Sequence, residues 1–252
     1  MITDLEKTVF CEICDEITNK IHSRDSIGTY KEKLLHLALK KFFCNDEACH
    51  EVKEGRFVAD AATDREIFEI QTGGLYPLKK KISAYLVDSD KQINIVLPVV
   101  VKKRLFWVDA ESGDMSEPKK FTVSHPKNKL LRELMRIAEV LDFSRVKLKI
   151  VMLNVDEYKL LDGRGADKKI KATKIDRIPS ELVDIICIEN IADAAEFFIP
   201  PALPREFRAK DFEKATGLKR KGVSAGLRTL IMLGIIEREK QSEHKVVYRK
   251  LI

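Results

Sequence analysis

The stretch that decides the fold is "GRFVADAATDREIFEIQTG", residues 55–73, because it joins two apolar segments through a short polar turn. Residues 56–62 and 66–71 are rich in β-branched, aromatic and small apolar side chains, and Thr63-Asp64 separates them. This pattern predicts a β-hairpin. A further short strand is predicted just before it, at residues 50–53.

Two acidic side chains interrupt the apolar pattern of this hairpin. Side chains two residues apart share a face of a strand, so we expect Glu69 and Gln71 together, with Phe68 and Ile70 facing the core. Asp60 lies on the preceding strand, within reach across the hairpin. Two carboxylates and an amide oxygen at a sheet edge are ligands suited to a hard cation such as Mg²⁺ or Mn²⁺.

Helices and strands alternate around the hairpin, which predicts an α/β layered domain. We expect this domain to span residues 1–200, with its core at about 29–155, and a second domain at 201–252 after the proline-rich "FIPPALP". Periodicity and turn residues predict helices at 3–22, 29–43, 75–87 and 127–142, and strands at 93–100, 104–109 and 146–153.

This succession of elements resembles the PD-(D/E)xK nucleases, the restriction-endonuclease-like superfamily, over roughly residues 29–101. The residues that carry the resemblance are Glu32 in "GTYKEKLLHLAL", Asp60 in "RFVADA", and Glu69 with Gln71 in "EIQ". The resemblance implies a mixed sheet flanked by helices. It also implies Glu32, Asp60 and Glu69 as metal ligands, Gln71 in the lysine position, and metal-dependent cleavage of a phosphodiester.

The lysine of the family motif is absent, since glutamine can neither carry positive charge nor act as a base. Some members of the family use glutamine here, and in some a lysine reaches back from the following helix. The sequence offers Lys79, Lys80 and Lys81, of which Lys79 is closest along the chain. The same substitution is also consistent with lost catalysis.

The positive charge of the chain is concentrated in its last segment. The whole chain has a net charge of +6, but residues 201–252 contain 13 Lys and Arg against 6 Asp and Glu. A second basic cluster falls at 164–177. Two such clusters indicate a polyanionic partner, or else two solvated surfaces.

The C-terminal segment has the layout of a winged helix-turn-helix: a helix, a turn at Gly217, a second helix and a hairpin. Basic side chains occur where such a domain would contact DNA, although many winged helices bind protein instead. The candidates for contacts with DNA are Lys219, Arg220, Lys221, Arg228, Arg238, Lys240 and Lys245.

Residues 156–178 form a basic excursion that is expected to be a loop, either along a nucleic-acid channel or on the surface. Arg164, Lys168 and Lys169 are its candidate contacts. With "IDRIPSELVDI" after it, this part of the chain resembles an uncharacterised bacterial family of nuclease-like proteins that end in a winged helix.

Cys11, Cys14, Cys44 and Cys49 could together bind Zn²⁺. The turns typical of zinc knuckles are missing, so we favour packing of these cysteines as small apolar groups. The apolar runs are too short to span a membrane, and the N-terminus lacks the pattern of a signal peptide, so we expect a cytoplasmic protein.

Two functional hypotheses follow. The first is a metal-dependent DNA nuclease that its winged helix positions on the substrate. The second is a DNA-binding or regulatory protein in which the nuclease fold is an inactive scaffold. Many enzymes of this family cut as dimers, which makes a homodimer plausible.

Overall fold

The computed structural model describes residues 2–22, 34–123, 126–164, 170–242 and 245–252, and this part of the chain has a mixed α/β fold. The helices are α1 (Asp4–His22), α2 (Leu34–Phe43), α3 (Leu78–Asp88), α4 (Pro126–Leu134), α5 (Ile191–Phe198), α6 (Ala209–Thr216) and α7 (Arg220–Met232). The strands are β1 (His50–Glu54), β2 (Phe57–Ala62), β3 (Glu66–Ile70), β4 (Gln92–Asp109), β5 (Lys119–Thr122), β6 (Val146–Leu161), β7 (Thr173–Ile188), β8 (Glu206–Phe207), β9 (Ile236–Ser242) and β10 (Lys245–Lys250). Short 3-10 helices occupy Glu47–Cys49 and Ala138–Val140.

The larger sheet is mixed and has the strand order β1-β2-β3-β4-β6-β7, with β5 beside β4. Strands β2 and β3 pair antiparallel, β3 and β4 pair parallel, and β4 and β5 pair antiparallel. The smaller sheet has the order β8-β10-β9 and is antiparallel. The mixed sheet with flanking helices confirms the coarse fold class that the sequence predicts.

The chain divides into two compact units, and neither is continuous in sequence. The first unit comprises Met1–His50, Pro98–Ser124 and Val151–Ile186, and the second comprises Glu51–Leu97, His125–Ile150 and Cys187–Ile252. Strands β4, β6 and β7 each have residues in both units. The structure therefore groups the C-terminal segment with two earlier segments, whereas the sequence pattern sets 201–252 apart.

The core of the second unit forms around the parallel pair of β3 and β4. Ile67 and Ile93 are fully buried, and residues 93–97 are apolar or amide side chains with almost no exposure. A strand buried on both faces favours such a continuous run over an alternating one. Helix α3 connects the two strands and buries Leu78 and Ile82, which are one turn apart.

In the first unit, α1 packs against α2 through apolar stripes. Phe10 and Ile17 of α1 are buried, as are Leu35 and Leu39 of α2. The rings of Phe10 and Phe42 meet edge to face with centroids 5.4 Å apart, a favoured aromatic geometry. The helical spacing of these residues is the signal that predicts both helices.

The C-terminal segment runs α6, turn, α7, β9, β10, in the predicted order. Gly217 ends α6 in the left-handed region with φ +67°, where glycine avoids the steric cost of a side chain. The Thr229 hydroxyl of α7 donates to the Leu131 carbonyl of α4 at 3.0 Å. A Cβ on Gly226 would lie 3.0 Å from Leu131 and 3.3 Å from Phe212, so α4 and α6 approach α7 closely.

Several expected boundaries are wrong. Residues 93–100 and 104–109 belong to one 18-residue strand, β4, rather than two. Much of the expected loop at 156–178 lies in β6 and β7. There, Arg177 Nε of β7 donates a hydrogen bond to Glu157 of β6 at 2.7 Å and so links the polar ends of the two strands. Such pairing depends on contacts distant in sequence, so the local composition did not indicate it.

In the described part of the chain, the helices are all too short or too polar to span a membrane.

Replacing Gly226 by leucine is expected to destabilise the protein, because the added side chain would overlap Leu131 and Phe212. The free energy of unfolding should fall by about 1–3 kcal/mol, the range for overpacked sites. Ser224→Leu on the exposed face of α7 is the matched control and should change it by less than about 0.5 kcal/mol. Equal urea midpoints for the two variants would contradict the close packing at Gly226.

Candidate functional site

Asp60 of β2 and Glu69 of β3 lie close together in the β2–β3 hairpin. Ala62 pairs with Ile67 and Ala61 with Phe68, and Asp60 and Glu69 follow these two pairs on their strands. In addition to burial, the charge of Asp60 acts on Glu69 and raises its pKa. The Asp60 carboxylate accepts a hydrogen bond from the backbone N–H of Ile70 at 2.7 Å. This bond fixes one oxygen of Asp60 beside the strand that presents Glu69.

The Glu69 side chain is buried, and both of its carboxylate oxygens accept hydrogen bonds from α3. Only 2% of it is exposed. Lys81 Nζ donates to Glu69 Oε1 at 2.9 Å and Oε2 at 2.8 Å, and the Tyr85 hydroxyl donates to Oε1 at 2.8 Å. Lys81 Nζ also donates to the Val58 carbonyl at 2.8 Å, so it joins α3 to both strands of the hairpin.

The sequence of α3 explains how it presents this pair. Lys81 and Tyr85 are four residues apart, so they lie on the same face of the helix. Tyr85 is 1% exposed, and its ring packs edge to face on Phe57 of β2 with centroids 6.3 Å apart. Tyr85 is therefore both a core residue and a partner of Glu69, and its four-residue spacing from Lys81 is the signal in the sequence for this second role.

Burial and charge act together on Glu69. Burial is the main cause that raises its pKa above the ordinary 4.5, and the nearby charge of Asp60 raises it further. Lys81 and Tyr85 oppose this shift because they donate hydrogen bonds to the ionised form. The pKa of Tyr85 is raised as well, mainly by burial, so its hydroxyl remains a donor.

The lysine at this carboxylate is Lys81, whereas the sequence analysis selected Lys79. Lys79 Nζ instead pairs with Glu139. Proximity to Glu69 along the chain does not identify its lysine partner. Successive side chains of a helix differ in direction by about 100°, so Lys79 and Lys81 point to different sides of α3.

Gln71 does not join Glu69. Its backbone N–H donates to Val96 at 2.9 Å, and its side-chain Nε2 donates to the Gly74 carbonyl at 2.8 Å. The glutamine therefore anchors the loop that precedes α3. The sheet-edge position expected for these groups is also wrong, because β3 lies between β2 and β4 and Glu69 is buried. Glu32 lies outside the described residues.

Burial and the charge of Asp60 both raise the pKa of Glu69, and a divalent cation beside the two carboxylates would oppose both effects. Mg²⁺ usually keeps several waters and binds through one or two carboxylates. Within the described ranges, no group of three or more His, Cys, Asp or Glu side chains could hold a metal ion. The less favoured zinc site at Cys11, Cys14, Cys44 and Cys49 therefore gains no support.

The second set of predicted residues is basic and lies largely on α7. Val223, Leu227 and Leu230 are buried, which leaves the opposite face of the helix exposed. The exposed basic side chains on or just before α7 are Lys219, Arg220, Lys221 and Arg228. Two more are exposed elsewhere, Arg238 on β9 and Arg164 after β6. Lys168 and Lys169 lie outside the described residues, as do the side chains of Lys240 and Lys245.

Comparisons with known proteins identify a family without an assigned activity. Residues 33–189 match the model of a domain of unknown function, DUF8091, and this segment includes both carboxylates, Lys81 and Tyr85. A protein of Treponema pallidum (strain Nichols), described as "Uncharacterized protein", is 29% identical over 157 residues. The match covers 60% of this chain and 60% of that protein. No solved structure matches the chain.

Replacing Lys81 by methionine should leave Glu69 buried without its cation. We expect the free energy of unfolding at pH 8 to fall by about 2–3 kcal/mol, the scale for a lost charged hydrogen bond on a buried group. The pKa of Glu69 should rise further, so the folded protein binds its proton more tightly than the unfolded chain. The stability deficit should then shrink as the pH falls toward 5.

Lys80→Met is the matched control for this experiment, because Lys80 is the exposed neighbour on the same helix. Urea unfolding of both variants at pH 5 and pH 8 makes the comparison. A Lys81 variant as stable as the control at both pH values would show that the pair does not hold Glu69.

Proposed function

The chain belongs to the DUF8091 family, and we propose that it is a metal-dependent nuclease with a restriction-endonuclease-like fold that hydrolyses phosphodiester bonds of DNA. The observation that carries the proposal is the meeting of two carboxylates and one lysine in the second unit. Lys81 Nζ lies 2.8 Å from Glu69, and Asp60 of the neighbouring strand is near enough that, besides the effect of burial, its charge raises the pKa of Glu69. Two acids and a lysine are the groups that the resemblance in sequence implies for this chemistry.

The lysine of this constellation comes from a helix rather than from the strand. In the proposal, Lys81 takes the part that the family motif gives to a lysine two residues after the second acid. It would donate to the attacking water or to a phosphate oxygen and so stabilise the negative charge that develops there. Its contact with the Val58 carbonyl would hold it in position.

Asp60 and Glu69 would hold a divalent cation. Such an ion lowers the pKa of a bound water and neutralises charge on the phosphate. Tyr85 is a positioning residue in this scheme, since its hydroxyl fixes the orientation of the Glu69 carboxylate. Gln71 would position the loop before α3 through its bond to Gly74.

DNA is the proposed substrate because of the basic face of α7. Arg220, Ser224 and Arg228 follow each other at four-residue intervals and are exposed, so they form one stripe on the helix. In a winged helix-turn-helix, the second helix lies in the major groove. We propose that α6 and α7 with the β9–β10 hairpin form such a domain and position the nuclease on its substrate.

An inactive nuclease fold that serves as a DNA-binding scaffold is the second candidate. Lys81 donates to both oxygens of Glu69 and to Val58, which favours a closed ion pair without a cation. The substitution of the motif lysine by Gln71 favours it too. Cleavage by the wild-type protein separates the two candidates.

The cleavage test uses labelled DNA and RNA, as linear, nicked, branched and single-stranded forms, in Mg²⁺ and in Mn²⁺. We expect the wild-type protein to cut DNA and Asp60→Asn and Glu69→Gln to lose about 100-fold or more in rate, because each removes a ligand charge. Lys81→Met should lose about 100-fold as well, since it removes the group that stabilises charge.

Lys79→Met is the matched control, because its partner Glu139 lies outside the proposed site, and it should keep a rate within about threefold of the wild type. Equal cleavage by all variants would indicate a contaminating nuclease. DNA binding without any cleavage by the wild type would support the scaffold and overturn the nuclease.

Reversing charge on α7 should weaken DNA binding. Arg220→Glu with Arg228→Glu is expected to lower affinity for duplex DNA roughly 10-fold or more at low salt, and to reduce the salt dependence of binding. Fluorescence anisotropy in EDTA measures this without cleavage. The control is Lys7→Glu with Lys53→Glu, which changes the net charge equally at exposed positions on α1 and β1. Equal losses in both double variants would argue against a specific role of α7.

A further inference from the structure

A second basic surface, outside the residues discussed so far, lies in the first unit. A cleft of about 570 Å³ opens where the first-unit parts of β4, β5, β6 and β7 meet. Its lining residues are Lys102, Lys103, Arg104, Lys120, Phe121, Thr122, Asn154, Val155, Ser180 and Glu181. Four of these ten side chains are cationic and one is anionic.

Three of the cations share one face of the β4–β5 ladder. The register sets Arg104 opposite Lys120 and Lys102 opposite Thr122, so Lys102, Arg104 and Lys120 lie on the same side of the sheet. Like charges directly opposite on a ladder are destabilising unless something neutralises them. An anionic ligand would remove this cost.

Acidic side chains of β6 pair with two of the cations near the cleft. Arg104 Nε and Nη2 contact Asp156 at 2.7 and 2.5 Å, which holds the guanidinium in place. Buried Glu157 accepts from Lys103 at 3.2 Å and from Arg177 at 2.7 Å. Burial disfavours ionisation of Glu157, but Arg177 and Lys103 keep its pKa below the ordinary value, so it stays charged.

The remaining cations face solvent. Lys102 and Lys120 are exposed and form no ion pair within the ranges that the structure describes. The two lysines therefore differ from Lys103 and Arg104, whose partners are fixed. On the face that carries Lys102, Arg104 and Lys120, the acidic side chains Asp156 and Glu181 leave an excess of one positive charge. Lys103, which alternates to the other face, forms a separate group with Glu157 and Arg177.

We propose that this cleft binds the phosphodiester backbone of a nucleic acid, with Lys102, Arg104 and Lys120 as its phosphate contacts. The inference deepens the proposed function and rests on it for the choice of DNA. Cations at alternate positions of a strand lie about 7 Å apart along it, which suits a chain of regularly repeated phosphates. The hydroxyls of Thr122 and Ser180 line the same cleft, and such donors commonly contact phosphates.

A nucleic acid fits this cleft better than an acidic protein does. Protein interfaces rely on buried aromatic and aliphatic anchors at their centre. Here the apolar lining consists of Phe121 and the already buried Val155. Contacts to phosphates alone carry no sequence information, so the cleft should increase affinity for any sequence.

The test reverses the charge at both exposed lysines of the cleft with Lys102→Glu and Lys120→Glu in the whole 252-residue chain. Anisotropy with labelled duplex and single-stranded DNA, in EDTA, should show roughly a 10- to 100-fold loss of affinity at low salt for every sequence used. The slope of log affinity against log salt should become shallower by about 1.4–1.8, the value for two lost phosphate contacts. The milder Lys102→Gln with Lys120→Gln should show a smaller loss in the same direction.

The control is again Lys7→Glu with Lys53→Glu, which changes net charge equally away from the cleft, and circular dichroism verifies the fold of each variant. The proposal is overturned if both Glu double variants lose affinity equally, or if Lys102→Glu with Lys120→Glu binds like the wild type. Competition by polyglutamate but not by DNA would also overturn it, in favour of an acidic protein. Because binding is measured without metal, this outcome is independent of whether Asp60→Asn abolishes cleavage.

Discussion

The hydrogen-bonded pair of Lys81 and Glu69 is the interaction on which the second unit's candidate site depends. A carboxylate with 2% exposure next to Asp60 would be costly without a cation, because desolvation and like charge both oppose its ionisation. Lys81 supplies that cation and also binds the Val58 carbonyl. One ammonium group thus stabilises the charge and fixes α3 against β2 and β3.

Much of this arrangement was available from the sequence. The segments around Asp60 and Glu69 predict a hairpin, and the structure has β2 and β3 there with an antiparallel register. The polar part of β6 and β7 was not predictable in the same way. Glu157 and Arg177 satisfy each other across twenty residues, so neither local periodicity nor composition indicates that they belong to strands. Residues 101–103, which separate the strands expected at 93–100 and 104–109, likewise belong to the single strand β4.

The charge that a basic surface offers to a ligand depends on which of its side chains already form ion pairs. A net charge of +6 says little about a partner, since solvated lysines are common on any surface. The structure distinguishes cations that form an ion pair, such as Arg104 with Asp156, from exposed cations such as Lys102, which form none among the residues that it describes. Lysines of the second kind offer a ligand their full charge, whereas Arg104 offers a guanidinium that Asp156 holds in place. Exposed basic side chains lie on both α7 and the β4–β5 ladder.

The choice between Lys79 and Lys81 shows why a motif is a weak guide to a site once a residue in it changes. A lysine side chain is long and flexible, so its ammonium can reach one point in space from more than one backbone position. The proposed nuclease would need a cation at the second acid, not a lysine at a particular strand position. The decisive quantity is therefore the direction of each side chain on α3. At Lys81 that direction leads to Glu69, and four residues later it brings Tyr85 to the same carboxylate.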